Sequence, residues 1–135
     1  MLDAEGDADQ GGGAEHVRDI GERTLAYGVR AVRLFRALQE SDDRAGWVIG
    51  KQYPRSATSI GANVTEAGAA ESRKDFVHKL QIAQKEARES PYWLRLLAEA
   101  EVLPPSRLHD ITSETNEIVA ILTAITRTTK RNARG

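Results

Sequence analysis

The chain has 135 residues, enough for one domain to bury a core without disulfides or metals. It contains no cysteine, which excludes disulfide staples, thiolate catalysis and cysteine-based metal sites. A net charge of −1 conceals an asymmetry: residues 1–15 hold Asp3, Glu5, Asp7, Asp9 and Glu15 with no Lys or Arg, while the end RTTKRNARG holds Arg127, Lys130, Arg131 and Arg134.

These features divide the chain. Residues 1–15 are expected to be a disordered acidic, glycine-rich head, with Gly11, Gly12 and Gly13 marking where structure begins. Residues 16–129 are expected to form the helical domain and residues 130–135 a basic tail, the two ends acting as solvating segments and not binding arms.

From Val17 the pattern is helical. Val17, Ile20, Thr24, Tyr27, Ala31, Leu34 and Leu38 alternate spacings of 3 and 4, one seam on a helix. A second stripe, Leu25, Val29, Val32 and Phe35, lies beside it, so this helix touches two neighbours or another subunit. Ser41, Asp42 or Asp43 can cap the next helix. That helix covers 44–70 with Ile49, Tyr53, Ala57, Ile60, Val64 and Ala67 inward, and Pro54 should kink or split it. Its small residues, Ser56, Ala57, Ser59, Gly61, Ala62 and 67–70, mark a close approach by another backbone.

Ser72 reads as an N-cap with Asp75 three residues on. The third helix turns Phe76, Leu80, Ala83, Ala87, Ser90, Leu94 and Leu97 inward, with Pro91 as a second expected kink. Pro104 and Pro105 end this stretch, and Pro105 suits the first turn of a last helix. There Leu108, Ile111, Thr115, Ile118, Leu122 and Ile125 share a face. The predicted fold is all-α, an antiparallel up-down-up-down four-helix bundle.

Sites for chemistry are sparse. A di-iron bundle needs paired Glu-x-x-His motifs, and the nearest fragment is a single Asp75-to-His78 DFVH. His16 and His109 lack ligand spacing. No phosphate loop, nucleophile elbow or zincin motif occurs. No catalytic, cofactor or metal residue is expected, and the protein is read as non-enzymatic. Arg55, Ser59, Asn63 and Glu66 form one drifting stripe, and Glu86 and Glu89 on the third helix can face it. A structural hydrogen-bonded network that fixes helix register is preferred to a ligand site. Arg23, Arg30 and Arg33 on the first helix are the candidate nucleic-acid contacts, set against an ordinary solvated arginine row. No apolar run approaches the roughly 18 residues of a membrane span, and the acidic start lacks a secretory pattern. The expectation is a soluble, cytoplasmic protein with no membrane contact.

RSATSIGANVTEA, with SRKDFVHKLQIAQKEARESPYWLRLL after it, resembles the bacterial four helix bundle protein family related to the protein of 23S rRNA intervening sequences (S23-like). The carrying pattern is Arg55, Ser59, Ile60, Asn63 and Glu66, then Lys74, Phe76, Leu80 and Ala83, with Glu89 and Leu94. The likeness spans residues 17–130. It implies a four-helix protomer assembled as a ring-shaped homopentamer, with no established catalytic activity. More distant relatives are accessory subunits of reverse transcriptases, which implies RNA or protein partners; DNA is a further candidate nucleic-acid partner. The expected function is a nucleic-acid-binding or scaffold oligomer, with an adaptor lacking direct nucleic-acid contact as the alternative.

Overall fold

The computed structural model describes the backbone of residues 3–134 and the side chains of residues 19–132. The described residues hold no strand. The helices are α1 (Asp3–Gln39), α2 (Arg44–Gly50), α3 (Gln52–Gly68), α4 (Arg73–Glu99) and α5 (Pro105–Arg134). Four are long. The short α2 runs into α3, and together they stand where one second helix is expected. The backbone of α1 is continuous through Gly11, Gly12 and Gly13, where a boundary is expected. The side chains of the acidic head lie outside the described residues.

Pro54 explains the α2–α3 break. It has no N–H to donate to the Gly50 carbonyl, so the hydrogen-bond ladder lapses one turn before it. The chain keeps helical dihedrals at Lys51 (φ −62°, ψ −29°) and restarts, leaving Pro54 in the first turn of α3. No donor is needed there. Pro91 acts differently: α4 runs unbroken past it.

Local signals place the helix ends. Asp43 accepts the Gly46 N–H at 2.9 Å, and Ser72 accepts the Asp75 N–H at 3.0 Å. At the end of α4, Val102 N–H bonds to Leu97 O at 2.9 Å and Glu101 N–H to Ala98 O at 3.1 Å. This is the Schellman pattern, with Glu101 in the left-handed region at φ 58° where glycine is usual. It turns the chain so that Leu103 reaches the core and Val102 packs against it.

α1 packs on α3 and α5, and α4 packs on the same two helices, closing a four-membered cycle. Most inward positions read from spacing are buried, Ile20, Tyr27, Ala31, Leu38, Tyr53, Ile60, Val64, Leu80, Leu94, Leu97, Ile118 and Leu122 among them; Leu34, Ile49, Phe76 and Ile125 are half-buried, and the Val17 side chain lies outside the described residues. Burying each Leu or Ile contributes about 1.5–3 kcal/mol. The small residues of α3 have their partner inside the chain. A Cβ at Gly61 would lie 3.3 Å from the Thr24 carbonyl oxygen, and one at Gly28 would lie 3.9 Å from the Thr58 Cα. α1 and α3 therefore touch almost backbone to backbone.

Candidate functional site

That close approach shapes a feature of the surface. Between α1 and α3, with Phe76 at one edge, runs a trough of about 1310 Å³. Gly21, Gly28, Gly61 and Ala62, with little or no side chain, leave its floor open. Leu25, Val29 and Val32 line it and are 68%, 41% and 37% exposed. These are the second apolar stripe of the first helix, and among the described residues they remain largely uncovered. The ends of the trough carry opposite charge. Gly21 lies beside Val64, and Gly28 beside Thr58, so residue numbers rise along α1 as they fall along α3. Glu22 and Glu66 thus share one end, while Arg33 and Arg36 line the other.

Beneath the trough lies a hydroxyl layer. Tyr53 donates to Tyr27 at 2.7 Å, Tyr27 contacts Thr115 Oγ1 at 2.6 Å, and Thr115 donates to Ile111 O at 2.6 Å. Each hydroxyl has one proton, so the chain of donation runs one way, from α3 through α1 to α5. The two rings meet edge to face at 6.3 Å. Burial pushes both phenols up from the usual tyrosine range, Tyr53 most of all. Ser56 and Ser90 add a second link, 3.0 Å apart, between α3 and α4. Spacing alone places Tyr27, Tyr53, Ser90 and Thr115 inward. Their pairing depends on residues 26 and 88 positions apart, which no local pattern records.

The expected polar stripe on α3 is brought together only in part. Arg55 reaches Glu89 and lies 3.5 Å from Glu86, and Glu89 accepts the Trp93 indole N–H at 2.9 Å. Glu86 Oε2 is buried and makes no hydrogen bond despite that approach. Asn63 turns back to its own helix, donating to Ser59 O at 2.9 Å. Ser59 is half-buried and contributes only that carbonyl. Glu66 is exposed and sits eleven residues along the helix from Arg55, in the trough. Trp93 is the member that spacing did not single out.

The first-helix arginines also separate. Arg23 is committed: its Nε and Nη2 donate to the Glu114 carboxylate at 2.8 and 2.7 Å, and Glu117 lies 3.2 Å away. The Arg23 hydrogen bond holds Glu114 below the usual carboxylate range, and the same bond raises Arg23. Arg30 and Arg33 are exposed and make no ion pair among the described residues. His78 is exposed on α4, and among the described residues no three potential metal ligands gather. No described helix is long and apolar enough to cross a membrane.

A family model described as 23S rRNA-intervening sequence protein matches residues 26–124, the stretch holding the trough, the hydroxyl layer and the Arg55 cluster. A crystal structure of a protein of unknown function from the S23 ribosomal protein family of Bacteroides thetaiotaomicron VPI-5482 is similar to this chain. The two share 38% identity and a TM-score of 0.76 over 83% of this chain and 98% of the other. No curated protein matches the chain.

Proposed function

The chain belongs to the 23S rRNA-intervening sequence protein family, and from that premise we propose that it is a non-enzymatic, self-associating scaffold that carries nucleic acid. Its helices follow an up-down-up-down course, a reading supported by the opposed numbering along α1 and α3 and by short connections at 40–43, 69–72 and 100–104. The observation that carries self-association is the uncovered apolar trough. Contiguous exposed Leu and Val of this kind mark a partner surface.

A second copy suits the trough through its α5. The outer ridge of α5 bears Glu117, the small residues Ala120 and Ala124, and Arg131, all exposed. Glu117 and Arg131 are fourteen residues apart, as are Glu22 and Arg36 across the trough. Laid antiparallel to α1, the ridge brings Glu117, which also lies 3.2 Å from Arg23 of its own chain, to Arg36 and sets Arg131 on Glu22. Trough and ridge are different surfaces, so the contact is head-to-tail, the kind that generates a ring where its rotation closes. The family resemblance implies five subunits.

Size-exclusion chromatography with light scattering tests this reading. The wild type should run at about five protomer masses, and Val29→Glu should run as a helical monomer. A monomeric wild type removes the assembly. It would favour the adaptor reading, in which an amphipathic helix of another protein occupies the same trough.

A further inference from the structure

We infer that the outer face of α4 is a track for single-stranded nucleic acid, with Tyr92 as its stacking platform. This rests on the nucleic-acid reading above and gives it a surface. The first-helix arginines cannot serve as that surface together, because Arg23 is bound to Glu114 and Arg33 lines the trough.

The carboxylates of α4 other than Glu99 lie to one side. Glu86 and Glu89 turn toward Arg55 with side chains 16% and 34% exposed, and Asp75 is half-buried at the capped start of the helix. Lys74, Lys85, Arg88 and Arg95 are exposed. At 100° per residue these four fall on one stripe, about 32 Å long at 1.5 Å per residue. Only Glu99 interrupts it, bound to Arg95 at 2.7 Å. Such a row neutralises successive phosphates along a flexible strand.

Tyr92 sits on the stripe near its C-terminal end, between Arg88 and Arg95, and is 60% exposed. Its ring meets Trp93 edge to face, with centroids 5.0 Å apart and planes at 78°. Trp93 is itself held by Glu89, which Arg55 holds in turn. An exposed aromatic ring is thus backed by a pinned indole and flanked one turn away on each side by Arg88 and Arg95. An unpaired base can stack there, whereas the bases of a duplex are closed to it. The Arg55 cluster gains a role beyond register: it fixes the platform.

Binding of the full chain to a fluorescent 20-nucleotide single-stranded RNA, titrated across salt, tests the track. The wild type should lose affinity with rising salt, with a log–log slope of about −2 for phosphate contacts at Lys74, Lys85 and Arg88, Arg95 being paired with Glu99. Lys85→Gln with Arg88→Gln should weaken binding and make the slope about 1.4 shallower. Tyr92→Ala should cost roughly tenfold or more while leaving the slope unchanged. Arg30→Gln should bind as wild type, and all variants should keep wild-type helicity. If the wild type binds but the α4 variants match it, the track is wrong and the nucleic-acid reading survives. If a duplex of equal length binds as tightly and Tyr92→Ala changes nothing, single-strand stacking is wrong. No wild-type binding overturns both.

Discussion

Tyr27 is the residue on which the buried hydroxyl layer turns, since it accepts from Tyr53 and passes a hydrogen bond on to Thr115. Tyr27→Phe therefore strands the Tyr53 O–H in a core where Tyr53 is 1% exposed. The expected loss is about 1–3 kcal/mol in urea unfolding, the cost of an unpaired buried donor. Tyr53→Phe removes only the first donor of the relay and leaves Tyr27 bonded to Thr115, so it should cost less, about 1 kcal/mol. Equal losses would show that the relay does not run in this direction. Arg23 and Glu114 supply a pH-dependent counterpart. Glu114 titrates lower in the folded protein than in the unfolded chain because Arg23 bonds its charged form. Between those two values the unfolded chain binds more protons, so stability falls as the solution is acidified. The contribution is complete above the ordinary carboxylate range and disappears as pH drops through the depressed Glu114 value. Arg23→Gln should flatten that part of the acid limb in unfolding measured from pH 6 downward. Neither feature was legible in the sequence. Inward-facing hydroxyls could be placed on the seam, but Arg23 and Glu114 lie 91 residues apart, and only the folded register pairs them.

At the scale of elements, local chemistry carried most of the information, because caps and prolines act within one turn. Asp43 and Ser72 cap where their sequence context suggests, and the apolar spacing names nearly all the core. The two prolines were less readable. Their effect depends on whether the ladder can restart nearby, as it does at Lys51, or is held by packing on both sides, as in α4. The end of α4 was the least readable, since a glutamate stands at the left-handed position. Glu101 is exposed, so its side chain gives no evident return for that conformation. Glu101→Gly relieves a backbone cost of about 1–2 kcal/mol, less roughly 0.5–1 kcal/mol for the added freedom of glycine in the unfolded chain. The variant should be about 0.5–1 kcal/mol more stable in urea, with the Leu103 packing intact. A loss of stability would mean that the glutamate makes a compensating interaction in solution.

For the whole molecule, the proposed self-association would make the trough couple folding to assembly. A protomer that leaves Leu25, Val29 and Val32 uncovered forgoes apolar burial that a neighbouring copy can supply. The second stripe on the first helix was visible in the sequence, but its covering was not: spacing shows that a face is apolar, not which surface meets it. Small residues in α3 were a similar case, since Gly61 turned out to face Thr24 of the same chain. If folded protomers are held in a ring, unfolding must also dissociate them, so stability depends on concentration by mass action. Each tenfold increase in protein should then add about 1 kcal/mol per protomer for a small ring, an increase in Tm of about 4 °C. Val29→Glu should abolish that dependence while retaining the helical far-ultraviolet signal. The variant should melt as the wild type does when extrapolated to high dilution. A wild-type Tm that is constant over a hundredfold range of concentration would mean that the exposed stripe is not covered by another copy of the chain.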